Sequence, residues 1–138
     1  MKIEHVAVYV NDLEAEKDFF VKYFKAKASE KYTNFRNDFS SYFLEFESGS
    51  RLEIMNRLSM TDPKKEKYRS GFHHIAIDVG DRKDVDDIMK KLTADGIVVV
   101  SGARKTGDGY YEAVIDDPEG NEIEIIAGNT VQDNWTKY

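Results

Sequence analysis

Two stretches of the chain, IEHVAVYVND at residues 3–12 and FHHIAIDVGD at residues 72–81, are similar enough to be copies of one another. An offset of 69 residues aligns His5 with His74, so two of the three histidines in the 138-residue chain occupy the same position in both copies. Self-similarity at a fixed offset is the signature of a duplicated structural unit. The same offset also aligns Ala7 with Ala76, Val10 with Val79, Asp12 with Asp81, Asp18 with Asp87 and Lys22 with Lys91.

An amphipathic helix is predicted directly after each of these stretches. Either Asn11 or Asp12 can cap the first helix, and Asp81 can cap the second. Gly96 can adopt the left-handed conformation that ends the second helix. Apolar side chains recur with helical spacing in both copies, at Phe19, Phe20, Tyr23 and Phe24 in the first and at Val85, Ile88, Met89 and Leu92 in the second.

The remaining segments of each copy read as β-strands. Short runs rich in Val, Ile and aromatic residues end at turn formers, and Pro118 and Gly120 mark one of these turns. The order in each copy is therefore βαβββ, and the predicted fold class is α+β, with two such repeats curling into an open sheet that bears a cleft. The predicted strands span residues 3–10, 28–33, 40–47 and 51–56 in the first copy, and 72–79, 97–103, 110–116 and 122–127 in the second.

The domain organisation follows from the repeat. A chain of 138 residues has the length of one compact domain. We expect a single domain over 1–138, built of repeats at about 1–56 and 71–127. A linker over 57–70 and a tail over 128–138 complete it.

Composition narrows the class of function. The formal net charge of −6 and the absence of a long apolar run argue against partners such as nucleic acid or a membrane. The one basic cluster, KKEKYR at 64–69, is expected to be a solvated linker. The chain contains no cysteine, which excludes disulfides and thiolate ligands and favours a cytoplasmic location.

Strand alternation indicates a candidate site. Side chains alternate between the two faces of a strand, so His5 and His74 lie at the same register of the opening strands, whereas His73 is expected to point the other way. The last strand of each copy carries an acid between two aliphatic residues, Glu53 in RLEIM and Glu124 in EIEII. If the aliphatic neighbours pack under the helix, both carboxylates point to the opposite face, toward the cleft.

Two imidazoles and two carboxylates form a mixed ligand set. This set suits Ni²⁺, Co²⁺, Fe²⁺, Mn²⁺ or Zn²⁺ better than Ca²⁺ or Mg²⁺, which prefer oxygen ligands. A single histidine in an apolar strand is more often a structural or surface residue, and a single acid in an alternating strand usually faces solvent. The recurrence of both residues in both copies favours the metal interpretation.

At the level of whole motifs, the chain resembles the vicinal-oxygen-chelate superfamily, which includes glyoxalase I, the bleomycin and fosfomycin resistance proteins and the extradiol dioxygenases. The resemblance runs from residue 1 to about 128. Its motifs are the opening IEHVAVYVNDLEAEKDFFVKYFKA, the second start GFHHIAIDVGD and the ending TGDGYYEAVIDDPEGNEIEII, whose D-P-x-G-N-x-I-E stretch is the most recognisable. The resemblance implies paired βαβββ modules and a homodimer.

Carried over by position, the family's metal ligands fall on His5, Glu53, His74 and Glu124. This complete set most resembles compact bacterial glyoxalase I, for which nickel or cobalt is the expected activator. The implied reaction isomerises the hemithioacetal of a 2-oxoaldehyde and a small thiol through an enediolate, with the metal as Lewis acid. The implied catalytic base is Glu124 or Glu53.

Two other functions remain open at this level. One is an enzyme of the same superfamily with a different substrate, such as thiol transfer to an antibiotic or another electrophile. The other is a non-enzymatic module that binds a small molecule, in which the His and Glu pairs are relics. The residues considered for substrate contacts or a dimer edge are Arg36, Arg51, Arg104, Lys105, Tyr110, Tyr111 and Trp135.

Overall fold

The computed structural model describes residues 1–61 and 64–130, and its elements fall into two compact units, Met1–Lys65 and Glu66–Tyr138. The predicted linker is therefore described except for residues 62 and 63, and Trp135 lies outside the described residues. No helix in the described part of the chain has the length and apolar character that crossing a membrane requires.

The first unit contains one helix and a five-stranded mixed sheet. The sheet order is β1-β5-β4-β2, with the short β3 also paired to β4. The predicted strand over 28–33 is instead two short strands separated by residues 29–31. The elements are β1 (His5–Tyr9), α1 (Leu13–Phe24), β2 (Lys27–Ala28), β3 (Tyr32–Asn34), β4 (Phe39–Glu45) and β5 (Arg51–Arg57).

The second unit contains one helix, a four-stranded sheet of order β6-β9-β8-β7, and a final 3₁₀ turn at Gly128–Thr130. Its order, βαβββ, is the predicted one, and the α+β class is confirmed. In both units the first strand pairs in parallel with the last strand. The elements are β6 (His74–Asp78), α2 (Arg82–Ala94), β7 (Val99–Lys105), β8 (Tyr111–Asp116) and β9 (Glu122–Ile126).

Both helices begin at the predicted caps. The Asp12 carboxylate accepts hydrogen bonds from the amides of Glu14 and Ala15 at 3.1 and 3.0 Å. Asp81 and Asp84 form a reciprocal capping box at the start of α2. These bonds satisfy amides that the first helical turn leaves without partners.

The aliphatic residues that flank the two predicted acids belong to the core. Leu52 and Ile54 in β5 are buried, as are Ile123 and Ile125 in β9. Each helix packs on the last strand of its own unit. Because side chains alternate along a strand, the acid between each buried pair points to the sheet face away from the helix. The further core residues include Phe19, Phe20 and Leu44 in the first unit, and Val85, Leu92 and Ile115 in the second.

A charged cluster at the start of α1 ties the helix to β4 and to the loop before β3. The Glu14 carboxylate accepts hydrogen bonds from the Tyr42 hydroxyl at 2.8 Å, from Lys17 at 2.8 Å and from Lys31 at 3.1 Å. These hydrogen bonds lower the pKa of Glu14 from 4.5 to about 2, and the bond from Lys17 has the largest effect. The ionised carboxylate is thus the form that the folded state prefers.

We predict that Glu14→Gln makes the folded state less stable at neutral pH and that this loss vanishes in acid. The folded pKa of about 2 lies below the ordinary 4.5, so the folded state binds fewer protons between these values. The stabilisation is complete above pH 4.5 and is lost as the pH falls toward 2. Because the cluster is solvent-exposed, we expect a loss of at most about 1 kcal/mol.

Urea unfolding between pH 2 and 7 measures this difference. Glu47→Gln, which removes an exposed carboxylate in the turn before β5, is the matched control. A Glu14→Gln difference that is the same at pH 2 and pH 7 would contradict the prediction.

Candidate functional site

The first candidate pair lies on the open face of the first sheet. Parallel pairing sets His5 opposite Arg51 and Ala7 opposite Glu53, so the histidine and the glutamate are diagonal neighbours on adjacent strands. The His5 Nε2 atom lies 3.7 Å from the Glu53 carboxylate. The Glu53 side chain is only 14% exposed, whereas that of His5 is 37% exposed. Glu53 therefore lies beside His5 on the sheet face away from the helix, as strand alternation predicts.

The second unit repeats this pair. His74 lies opposite Glu122 and Ala76 opposite Glu124 in the parallel pairing of β6 and β9. The His74 Nε2 atom lies 3.3 Å from a Glu124 carboxylate oxygen. In both units, therefore, the Nε2 atom of the histidine faces the carboxylate of the glutamate at the equivalent position of the closing strand.

In the first unit the other side of the His5 ring is held by Glu4. The Glu4 carboxylate lies within hydrogen-bonding distance of His5 Nδ1 and forms an ion pair with Arg51. The bond to His5 and then the bond to Arg51 lower the pKa of Glu4. Phe43 contacts both partners of Glu4. The centroid of its ring lies 5.2 Å from that of the His5 ring, edge to face, and 4.4 Å from the guanidinium carbon of Arg51.

In the second unit the corresponding place is taken by His73. The Nδ1 atoms of His73 and His74 lie 2.9 Å apart, and His73 Nε2 lies 3.5 Å from the Glu122 carboxylate. The expectation that His73 points away from His74 is wrong. His73 lies one residue before β6 begins, so the alternation of a strand does not apply to it. Its ring lies with Glu122, on the same face as Glu124.

Glu112 is a further carboxylate near the second pair that the sequence argument missed. It lies in β8, is only 8% exposed and pairs with Arg104 at 3.4 Å. Burial raises the pKa of Glu112, and repulsion from the Glu124 carboxylate raises it further, while Arg104 opposes the rise. Strand alternation could have indicated this carboxylate, because residue 112 lies on the same face of β8 as Val114. Val114 pairs with Glu124 in β9.

Two of the cations considered for substrate binding already have carboxylate partners. Arg51 pairs with Glu4, and Arg104 pairs with Glu112 and donates to the Ser101 hydroxyl at 2.7 Å. Tyr111 donates a hydrogen bond to Asp86 at 2.7 Å, so its hydroxyl connects β8 to α2. These contacts make the three side chains parts of the scaffold around the two pairs.

The two His and Glu pairs have the chemistry of metal ligands. Their separations of 3.7 and 3.3 Å exceed the usual length of an N–H···O hydrogen bond. Two ligands bound at about 2.1 Å to one ion lie roughly 3.0 to 3.4 Å apart for angles between 90° and tetrahedral. The second pair falls within this range and the first lies slightly outside it. Imidazole nitrogen with carboxylate oxygen is a donor set that first-row divalent ions accept.

The structure brings the predicted ligands together as pairs. His5 lies with Glu53, and His74 lies with Glu124. Among residues 1–61 and 64–130, no group of three or more His, Asp or Glu side chains is arranged so that it could hold a metal ion. The prediction that all four side chains bind one ion therefore stays a prediction.

Comparison with known proteins places the chain in a family. The model of the glyoxalase/bleomycin resistance protein/dioxygenase superfamily matches residues 2–125, and the chain belongs to this superfamily. The uncharacterized protein YqjT of Bacillus subtilis is 26% identical over 132 residues, which cover 91% of this chain and 98% of that protein. The predicted family is thereby confirmed.

Solved structures show the same fold. A glyoxylase/bleomycin resistance protein/dioxygenase domain from Frankia sp. EAN1pec has a TM-score of 0.80 at 15% identity, and the match covers 93% of this chain and 92% of that one. The trypanothione-dependent glyoxalase I of Leishmania major has a TM-score of 0.79 at 21% identity, with 96% and 90% of the two chains covered. At these identities the similarity is one of fold.

The raised pKa of Glu112 predicts a pH-dependent effect of Glu112→Gln. The folded pKa lies above the ordinary 4.5, so the unfolded chain loses its proton first as the pH rises. Wild-type stability therefore falls as the pH climbs from 4.5 through the folded pKa, and the variant escapes this loss. The Tm of the variant minus that of the wild type should become more positive between pH 4 and pH 7.

Thermal unfolding followed by circular dichroism measures this difference, with Glu30→Gln as a control at an exposed carboxylate. Arg104 remains half-exposed and can be solvated by water in the variant. If the Tm of the variant minus that of the wild type stays constant or falls with rising pH, the prediction is contradicted. The folded state would then not disfavour the ionised form of Glu112.

Proposed function

We propose that the protein is a metal-dependent lyase of the glyoxalase I type, which isomerises the hemithioacetal of a 2-oxoaldehyde and a small thiol into a thioester. The observation that carries this proposal is the repeated pair, in which a histidine Nε2 faces a carboxylate at 3.7 Å in one unit and 3.3 Å in the other. Membership of the superfamily and the fold similarity to a glyoxalase I support it.

In this proposal His5, Glu53, His74 and Glu124 are the ligands of one divalent ion, with Ni²⁺ or Co²⁺ favoured over Zn²⁺, Fe²⁺ or Mn²⁺. When bound, the ion would supply Lewis-acid polarisation of the two neighbouring substrate oxygens. The β1–β5 and β6–β9 pairings hold each histidine beside its glutamate before any ligand arrives. Ligands placed on paired strands lose little freedom when they bind.

One glutamate, Glu53 or Glu124, acts as the base. Its carboxylate takes the proton from C1 of the substrate and returns it at C2, while the proton of the C1 hydroxyl passes to the C2 oxygen. Both side chains are suited to this role because they are largely shielded from water, with 14% and 22% exposed. Glu124 also lies near Glu112, whose pKa is raised by burial and then by the charge of Glu124.

The wider setting is proposed from the same resemblance. The two repeats form one domain, the protein is a homodimer in the cytoplasm, and its partner is a small-molecule substrate such as a thiol conjugate. Turnover measured with several low-molecular-weight thiols identifies the thiol.

The decisive test is reconstitution with metal followed by turnover. We expect about one Ni²⁺ or Co²⁺ per chain, and formation of a thioester from methylglyoxal with glutathione or another low-molecular-weight thiol, followed by ultraviolet absorbance. Glu53→Gln and Glu124→Gln each remove a ligand oxygen charge, and one of them also removes the base. That variant should lose about 10²- to 10⁴-fold in kcat.

Glu47→Gln is the matched control and should keep both metal and turnover. Metal bound without turnover on any thiol would contradict the glyoxalase activity and favour an enzyme of the same superfamily with another substrate. Absence of stoichiometric metal would contradict the metal-dependent lyase altogether. Retained binding of a small molecule by Glu53→Gln and His74→Ala would then favour a binding protein.

A further inference from the structure

Arg57, at the end of β5, lies on the open face of the first sheet. Residues 53, 55 and 57 share this face, because they alternate along the strand with the buried Leu52 and Ile54. We propose that Arg57 binds the carboxylate of a small ligand whose apolar body lies on the aromatic side chains of this face. The inference deepens the proposed function, since the carboxylate would belong to the thiol part of the substrate. That use rests on the proposed function, whereas the anion site itself does not.

The guanidinium of Arg57 has donors to offer. Its Nε atom is buried and has no hydrogen-bond partner among residues 1–61 and 64–130. Within the same residues it forms no ion pair, in contrast to Arg51 and Arg104. Its guanidinium carbon lies over the Phe39 ring instead, 5.4 Å from the ring centroid. An arginine stays charged and only donates, and a buried donor without an acceptor costs free energy. An anion that binds here supplies the acceptor.

The surface between Arg57 and Glu53 is suited to an apolar ligand body. Paired residues of adjacent strands share a face. The aromatic and apolar residues that share the face of Glu53 and Arg57 in this way are Tyr9, Tyr32, Phe39, Phe43 and Met55. Of these, Tyr9 and Tyr32 are 48% and 56% exposed, so a ligand can reach their rings.

The spacing along β5 sets the length of the ligand. Glu53 and Arg57 are four residues apart on one strand, which separates their Cα atoms by about 13 Å. A ligand of comparable length can place its reacting end beside His5 and Glu53 and its anionic end at Arg57. A ligand much shorter than this reaches only one of the two positions.

The charges of β5 favour a carboxylate as the anionic group. Arg51, the other arginine of this strand, is already paired with Glu4, so it does not add its charge to that of Arg57. One guanidinium balances the single charge of one carboxylate. Its planar fork of N–H groups also matches the two carboxylate oxygens.

The second unit has the opposite chemistry at matching positions of its open face. The strand registers align Tyr9 with Asp78, and Ser41 with Glu112. Carboxylates at these positions repel an anion, whereas Arg57 attracts one. A ligand that carries a carboxylate is therefore directed to the first unit. The two copies of the duplicated unit thus share the histidine and glutamate pair but differ in the surface beside it.

Binding of phenylbutyrate, an aromatic carboxylate, tests the anion site without turnover. Phenylbutanol has the same apolar body without the charge and is the matched probe. The full chain is used with EDTA present, so that no metal competes for the carboxylate. We expect the amides around Phe39 and Arg57 to shift in nuclear magnetic resonance spectra. Phenylbutyrate should bind at least about 10-fold more tightly than phenylbutanol.

Substitutions of Arg57 separate its charge from its packing. Arg57→Gln should weaken phenylbutyrate binding about 10- to 100-fold and leave phenylbutanol binding unchanged. Arg57→Lys keeps the charge but not the fork, so its affinity for phenylbutyrate should lie between those of the wild type and Arg57→Gln. Arg69→Gln, at an exposed arginine of the second unit, is the matched control and should bind both probes as the wild type does.

Circular dichroism checks that each variant folds. Equal affinity of the wild type for the two probes, amide shifts confined to the second unit, or a preference for phenylbutyrate that survives in Arg57→Gln would overturn the anion site. If Arg57→Gln does not fold, the two probes on the wild type and on Arg57→Lys still decide it.

Turnover with two thiols connects the anion site to the proposed function. Mercaptooctanoate and mercaptooctanol form hemithioacetals with methylglyoxal that differ only in the terminal group. In the nickel-loaded enzyme, Arg57→Gln should raise KM for the mercaptooctanoate adduct about 10-fold or more. KM for the mercaptooctanol adduct and both kcat values should stay unchanged, because Arg57 contacts only the carboxylate.

An equal effect of Arg57→Gln on both adducts would overturn the role of Arg57 in selecting the substrate. A wild type that turns over no adduct of any thiol overturns the proposed function instead. The phenylbutyrate measurements then decide the anion site by themselves.

Discussion

The parallel pairing of the first and last strands in each unit is the constraint on which the rest of the structure depends. A parallel pair needs a long crossover connection, and the helix and the intervening strands of each unit supply it. The aliphatic residues of the closing strand then pack under the helix, which leaves Glu53 and Glu124 on the open face. The same pairing brings His5 and His74 beside those acids. The strand pairing that packs the core of each unit therefore also places each histidine beside its glutamate.

Local chemistry made much of this predictable from the sequence. Caps such as Asp12 and Asp81 act within a few residues, and strand alternation indicates the direction of Glu53 and Glu124 without any tertiary information. The split of the strand predicted over 28–33 was not visible, because the pairing partner decides where a short edge strand ends. The direction of His73 was predicted wrongly because the strand begins at His74, two residues later than expected.

The contact between Glu4 and Arg51 could not be read from the sequence. Glu4 and Arg51 are 47 residues apart, and only the register of β1 with β5 makes them neighbours. Glu112 and Glu124 interact across the β8–β9 pairing, and strand alternation could have indicated that they share a face.

The most direct test of the central claim is X-ray absorption at the nickel edge of the nickel-loaded protein. Multiple scattering from imidazole rings counts the histidines bound to each ion, and the chain has only three. Two imidazoles per nickel, completed by carboxylate or water oxygens, are the predicted result, because His5 and His74 each turn an Nε2 toward a carboxylate. A nickel ion with no imidazole, or with only one, would contradict the account.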